Sequence, residues 1–177
     1  MLLSCAPVIR KDLMEVAIRN VPLSEVKKNP DVYKSKLFVV GGIIVDTKAT
    51  AEGSLVEALY VPVDSKGYLK SVGMPHVRFL ALLPKKEGFL DPIIFKSDRH
   101  ITVAGDFEGI RKGKIGEMEY GYPFFVIKEI HLWREEGDYY YPYYYESYYA
   151  PYPYWWDYPY WGWGYPWWRS GPPPYWW

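Results

Sequence analysis

The residues that could perform chemistry in this chain are few and widely separated. Its single cysteine, Cys5, is a candidate for acylation, because Leu2-Leu3-Ser4-Cys5 matches the kind of site where a leader is cut and the new terminal cysteine is acylated. A complete leader has a basic start and an apolar stretch of about 7–15 residues, whereas Met1 to Ser4 are all that precede Cys5 here. From these residues alone, an acylated cysteine and a free thiol near the terminus both stay open.

Residues that support catalysis or metal binding are not grouped in the sequence. The three histidines, His76, His100 and His131, are isolated, whereas zinc motifs pair their ligands at short spacings. Glu117 and Glu119 lie two residues apart, on a predicted solvent-facing strand edge. No HExxH, GxSxG or phosphate-loop pattern occurs. The sequence therefore predicts a protein that is not an enzyme, with no metal and no cofactor.

The charge distribution argues against a dedicated nucleic-acid binder. Residues 1–134 contain 20 basic and 16 acidic residues, whereas residues 135–177 contain one basic and five acidic residues. Arg111, Lys112 and Lys114 form a small basic cluster of the kind that usually marks a solvated loop, and neither part of the chain is strongly basic. We expect no nucleic-acid partner.

The elements that must position these residues are mostly strands. Runs rich in β-branched and aromatic residues, bounded by Gly, Pro and Asp, predict five of them. The fourth is the clearest, because Ile101, Val103 and Phe107 alternate with Thr102 and polar residues. Ile110–Gly116 is predicted as a flexible turn. The strand candidates are Leu37–Val45, Leu55–Val63, Val77–Leu83, Ile101–Gly109 and Phe124–Trp133.

This pattern predicts an all-β protein, a small five- to six-stranded Greek-key barrel of the OB type with a short N-terminal helical segment. Helix is expected within Asp12–Lys28, interrupted by Pro22, and as a short turn around Phe89–Phe95. Gly41 and Gly42 predict a bulge or bend in the first strand. An up-and-down meander is the alternative topology.

The C-terminal part has a different composition. From Tyr139 onward the chain contains 14 Tyr, eight Trp and eight Pro, and no Leu, Ile, Val, Phe or Met. Proline prevents helices and central strands, so we predict a low-complexity, disordered tail with polyproline-II character. Exposed aromatic rings bind sugars, other rings or a bilayer interface; a sticky extension without a specific partner is the alternative. The predicted interaction residues are Tyr139, Tyr143, Tyr148, Trp155, Trp156, Trp161, Trp163, Trp167, Trp168, Trp176 and Trp177.

Short motifs between Val21 and Trp133 occur in an order that resembles the Slp family of outer-membrane lipoproteins. Val77 and Val63 stand where the family usually has glycine and leucine, which we interpret as packing changes. The matching motifs are Asn29–Lys34, Gly41–Ile43, Val56-Glu57, Pro62–Asp64, Arg78–Leu80, Phe89–Pro92, Ile101–Gly105, Gly113–Glu117, Tyr120–Pro123 and His131–Trp133.

The resemblance implies a lipid on Cys5, a leader that precedes Met1 and an outer-membrane location in a Gram-negative bacterium. Ala6 fits that location, because an aspartate there commonly retains lipoproteins at the inner membrane. We expect residues 1–20 to form the lipobox and tether, with Ala6 to about Arg10 as a short tether that sets the barrel close to the bilayer, residues 21–134 the barrel and residues 135–177 the tail. The expected function is a non-enzymatic, lipid-anchored envelope protein with a structural or interaction role, partnered by the membrane and, through the tail, by envelope glycan or protein. A soluble OB-type module that binds oligonucleotide or oligosaccharide is the alternative.

Overall fold

The fold is described by a computed structural model, which covers residues 7–70 and 77–134. Five strands form most of these residues, and short helices precede them. The elements are α1 (Lys11–Val16), α2 (Leu23–Lys28), α3 (Pro30–Tyr33), β1 (Leu37–Ala49), β2 (Gly53–Val61), β3 (Arg78–Pro84), a 3₁₀ turn (Lys85–Glu87), β4 (His100–Ile115) and β5 (Met118–Leu132).

The five strands close into a barrel in the order β1-β2-β3-β5-β4. All neighbours are antiparallel except β3 and β5, which run parallel with Ala81 opposite Phe125. A meander would pair β3 with β4 instead, so the alternative topology is wrong. The predicted OB-type Greek-key barrel is confirmed.

The interior of the barrel is a core of aromatic rings. Phe38, Phe79, Phe107 and Phe125 are each at most 1% exposed. The ring of Phe125 lies 5.8 Å from Phe38, 5.8 Å from Phe79 and 5.5 Å from Phe107 between centroids. These edge and tilted arrangements suit the quadrupoles of the rings. We call this group and its aliphatic neighbours the inner core.

Each end of the barrel is closed by residues from outside the strands. At one end, α2 supplies Leu23 and Val26, both fully buried in the inner core. At the other end, the connection between β3 and β4 supplies Leu90, whose backbone N–H donates to Ser54 Oγ at 3.0 Å. We call these the helix end, where β1 begins, and the loop end, where β4 begins and β5 ends.

A second apolar cluster covers the outer face of β1 and β4, and we call it the outer core. It joins N-terminal residues to residues on the barrel's outer surface, so this part of the sheet is buried on both faces. That explains why β1 reads as a continuous apolar run rather than an alternating one. Its buried members are Ile9, Met14, Ala17, Val39, Val61, Val63, Leu69, Ala104 and Trp133.

The glycine pair of β1 serves close packing, and the predicted bulge there is wrong. Gly41 and Gly42 lie in regular register with Val61 and Tyr60, and the register shift comes later, between Ile44 and Asp46. A Cβ on Gly41 would lie 2.3 Å from Leu69 Cδ2 and 2.6 Å from the Val61 carbonyl oxygen. A side chain does not fit at position 41, because Val63 and Leu69 of the outer core lie against the backbone of β1 there.

The turn between β4 and β5 is shorter than the sequence predicts. Ile110–Gly116 is not a flexible turn: β4 continues to Ile115 and pairs with β5 as far as Met118, so the turn contains Gly116 and Glu117 alone.

The predicted helical region is confirmed as two helices, and Pro22 is the N-cap residue of the second. None of the helices formed by the described residues combines the length and apolar character needed to cross a bilayer.

Candidate functional site

The predicted site residues lie at the two ends of the chain. Cys5 and the eleven tail residues from Tyr139 to Trp177 fall outside the described residues. Between them, the described residues begin at Pro7 and end at Arg134.

The N-terminal segment is attached to the barrel from Val8 onward. The Val8 backbone N–H donates to the Lys66 carbonyl at 3.0 Å, and Ile9 is fully buried in the outer core. Arg10 contacts Glu129 twice, because its backbone N–H and its Nε each lie 3.2 Å from Oε2. Val8, Ile9 and Arg10, which belong to the predicted short tether from Ala6 to about Arg10, therefore pack on the barrel.

A buried hydrogen-bond chain lies beneath this attachment. Thr102 is fully buried, and its hydroxyl donates to the Gly67 carbonyl at 3.0 Å. The same oxygen accepts a bond from Trp133 Nε1 at 3.1 Å. Thr102 thus satisfies two buried polar groups at once, which matters because an unpaired buried group is costly. The chain connects the Gly67 turn, β4 and the last described aromatic residue.

The N-terminal segment runs along β4 from the loop end toward the helix end. Val8 contacts the Lys66–Gly67 turn, which is bonded to Thr102. Arg10 reaches Glu129, which is opposite Ala104. Further on, Ile18 pairs with Phe38, which is opposite Gly105.

The first described contact with the barrel is made by Val8. Cys5 is three positions earlier in the sequence, and three residues of fully extended chain span no more than about 10 Å.

A group of polar side chains covers the outer face of β2, β3 and β5. Arg78 Nη1 lies 2.7 Å from Glu57 Oε1, and the Tyr122 hydroxyl donates to the same oxygen at 3.2 Å. Burial, and then the negative charge of Glu57, raise the pKa of Tyr122. The Tyr120 hydroxyl accepts the Arg78 backbone N–H at 3.1 Å.

The cations of this face cover its own aromatic rings. Lys27 Nζ lies 3.8 Å from the centre of the Tyr120 ring, and the Arg111 guanidinium lies 3.8 Å from the centre of Phe124. Arg111 also pairs with Glu52 at 3.4 Å. OB-type domains bind single strands with open basic grooves and stacking rings. Since Tyr120 and Phe124 are already covered, the oligonucleotide alternative is not favoured.

The described histidines are held in separate environments. Burial, and then the positive charge of Arg99, lower the pKa of His100, while Asp98 opposes the shift. The His131 ring lies 4.8 Å from that of Trp133. Within residues 7–70 and 77–134, no three His, Cys, Asp or Glu side chains are grouped so that they could hold a metal ion.

Sequence reasoning missed the residues that attach the N-terminal segment. The usable signal was the spacing of Ile9, Leu13, Met14 and Ala17, which is that of an amphipathic helix face. Trp133 was assigned only to a strand end. Nothing in the sequence showed that Thr102 would bond Gly67 and Trp133, because that contact depends on tertiary structure.

Comparison with known proteins gives one family and one curated relative. The model of the Outer membrane lipoprotein Slp family matches residues 2–161. An uncharacterized protein of Haemophilus influenzae is 34% identical over 108 residues, which are 60% of this chain and 57% of the relative. The match thus spans little more than half the length of that relative. No solved structure matches.

Proposed function

The chain belongs to the Slp family of outer membrane lipoproteins, and from this premise we propose that it is a non-enzymatic envelope protein anchored by a lipid on Cys5. The family places the protein in the outer membrane of Gram-negative bacteria. Its role in the envelope is structural or one of interaction, and its barrel serves as the body that the anchor holds.

One observation carries this proposal beyond the family. Val8, Ile9 and Arg10 are attached to the barrel by two backbone contacts and a buried side chain. A lipid three residues earlier would therefore transmit its position to the whole domain without a long flexible linker. A single acyl chain holds a protein only marginally, whereas two or more chains hold it stably. We expect the multiply acylated cysteine that the family resemblance implies.

The anchor is tested by replacing Cys5 in protein expressed from its own genomic locus. Cys5→Ser removes the only thiol in the chain, so the protein should move from the detergent-extracted outer membrane to the soluble fraction. Ser4→Ala is the matched control, because it keeps the thiol and a small residue before it, and should stay in the membrane. Intact-mass measurement of the wild type should show added acyl groups. An unmodified Cys5 in the membrane fraction would contradict the proposal.

The interaction role is assigned to residues 135–177. Residues 139–177 contain twenty-two Tyr and Trp rings among eight prolines, and such rings stack on sugars or on other rings. We propose that this segment adheres to envelope glycan or protein while residues 21–134 fold without it. The composition of the segment supports that division, because residues 139–177 contain no Leu, Ile, Val, Phe or Met from which to build a core.

Truncation after Arg134 tests this assignment. The melting temperature should stay nearly unchanged, and capture of purified cell-wall fractions should be lost. A full-length variant with Trp155, Trp156, Trp161 and Trp163 all changed to Ser is the control for chain length. If the truncated protein binds those fractions as well as the full chain does, the tail is not the adhesive segment.

A further inference from the structure

Three large apolar side chains are exposed on the connection between β3 and β4. Phe89 is 64% exposed, Ile93 82% and Ile94 53%, all within six residues. The other large exposed hydrophobic residues of the described chain, such as Val32 and Met118, lie singly on other elements. Single exposed apolar residues are ordinary, whereas a group marks a contact surface. We call Phe89, Ile93 and Ile94 the loop patch.

The loop patch is presented by an ordered turn. Leu90 is buried in the inner core and bonded to Ser54. The Asp91 side chain accepts the Ile93 N–H at 2.8 Å, and its carbonyl accepts the Ile94 and Phe95 N–H groups at 3.0 and 2.8 Å. These bonds determine which side chains the turn presents. Exposure of Ile93 and Ile94 is therefore a property of the fold.

The loop patch lies at the same end of the barrel as both chain termini of the domain. Arg99 connects them, since its Nη1 donates to the Ile94 carbonyl at 3.4 Å and its Nη2 to the Trp133 carbonyl at 2.7 Å. Trp133 in turn packs in the outer core with Ile9. The N-terminal segment approaches along β4 from this loop end, as the contacts of Val8 and Arg10 show.

We propose that the loop end faces the bilayer and that Phe89, Ile93 and Ile94 enter its interfacial layer as a second membrane contact. This rests on the proposed lipid at Cys5, which would hold Val8 within about 10 Å of the membrane. Lys85 and Lys86 precede the loop patch and Lys96 follows it. Such flanking lysines suit anionic headgroups while apolar neighbours contact the acyl region. The occupant of the patch is a lipid surface.

Hydrogen exchange on the tethered full chain tests the proposal. The Cys5 thiol is coupled to maleimide-phosphatidylethanolamine in vesicles that also contain phosphatidylethanolamine and phosphatidylglycerol. The reference is the chain with Cys5 capped by N-ethylmaleimide, mixed with the same vesicles. Exchange of the amides of residues 93–95 should slow about tenfold on coupling. Amides of residues 31–36 at the helix end should be unchanged.

Paired variants identify the side chains responsible. Ile93→Asp with Ile94→Asp should abolish the slowing, whereas Val32→Asp, which changes an apolar residue 59% exposed at the helix end, should leave it intact. All three residues are exposed, so folding should survive.

Three results would overturn the proposal. They are unchanged exchange at 93–95 on coupling, protection at 31–36 instead, and protection already present in the capped chain that disappears when residues 135–177 are removed. The last would make the tail the occupant. In this experiment chemical coupling replaces acylation, so none of these results bears on whether Cys5 is acylated in the cell. The intact mass of the wild-type protein tests acylation separately.

Discussion

The inner core and the outer core share residues of β1, β2 and β4, yet they differ in how the chain builds them. The inner core joins residues from all five strands, including Phe38, Phe79, Phe107 and Phe125. The outer core covers one side of β1 and β4 with a short segment that contains a six-residue helix, α1. A helix so short is not stable by itself, so its order depends on Ile9 and Met14 packing on the sheet. The inner core therefore stabilises the barrel itself, whereas the outer core holds the N-terminal segment that leads to the proposed anchor.

The largest expected effect comes from opening the inner core. Phe125→Ala removes a fully buried ring with three aromatic neighbours, and buried Phe→Ala changes cost about 3–5 kcal/mol. Because small domains have about 5–15 kcal/mol of stability in total, we expect a melting temperature lower by many degrees, or loss of folding. Phe89→Ala is the control, since its ring is exposed. Equal melting temperatures for the two variants would contradict the assignment of the inner core.

The glycine pair allows both faces of one strand to be compared. A Cβ on Gly41 would meet the outer core and a backbone carbonyl at 2.6 Å, which cannot move aside. A Cβ on Gly42 would meet Ala58 and the Phe79 ring at 3.0 Å, inside the barrel. We expect Gly41→Ala to cost about 2–3 kcal/mol and Gly42→Ala about 1–2 kcal/mol, as overpacking does. Urea unfolding of both variants measures this, and the opposite order would show that the inner face is the tighter one.

Gly42→Val extends the same comparison. Valine prefers strands, so propensity alone predicts stabilisation. The Phe79 ring 3.0 Å from the first added carbon predicts destabilisation instead, because two further methyl groups must fit in the same space. A melting temperature equal to or above that of the wild type would mean that the ring moves freely.

A substitution in the outer core should unfold the N-terminal segment locally and leave the barrel folded. Ile9→Ala removes a fully buried side chain, and we expect a cost of about 2 kcal/mol, at the low end for such changes, because the segment can detach while the barrel remains. Exchange of the Ile18 amide, which donates to the Leu37 carbonyl at 2.8 Å, should accelerate, and the inner strands should keep their protection. Val16→Ala, at a position 71% exposed, is the control. Acceleration throughout the barrel would show that the two cores unfold as one unit.

The sequence predicted the inner core better than the outer one. Alternation in β4 placed Ile101, Val103 and Phe107 inside, and all three are fully buried. The same alternation places Thr102 on the opposite face with polar residues, and Thr102 is nevertheless fully buried because the outer core covers that face. An alternating pattern predicts which face of a strand is buried in a single core. It cannot show that the other face is buried as well, because that burial depends on tertiary contacts with distant residues. The five strands were found, but β4 was ended too early, because its glycines and charged residues read as a turn.

Of the candidate site, Cys5 was accessible to sequence reasoning and its surroundings were not. Ser4-Cys5 is a local signal, as is the composition of the tail, and both remain predictions. The attachment of Val8 to Lys66 joins residues 58 positions apart, and the loop patch is defined by which side chains the fold leaves uncovered. Neither property can be deduced from a run of neighbouring residues.

The smallest expected effect concerns His100, whose backbone carbonyl accepts the Trp133 N–H at 3.0 Å beside both cores. Burial, and then the charge of Arg99, lower its pKa below the ordinary 6.5. The folded protein therefore binds this proton less readily than the unfolded chain does. The associated stability is fully present above pH 6.5 and is lost as the pH falls through the folded pKa.

Urea unfolding at pH 7.5 and pH 5.5 measures this loss. His100→Gln should show a smaller decrease in unfolding free energy between the two pH values than the wild type, since glutamine keeps polar groups without titrating. His131→Gln is the matched control from the neighbouring strand, and it should retain the wild-type decrease if His100 is the group responsible. A wild-type decrease that persists in His100→Gln would assign the pH dependence to other groups and leave the junction of the two cores insensitive to protons.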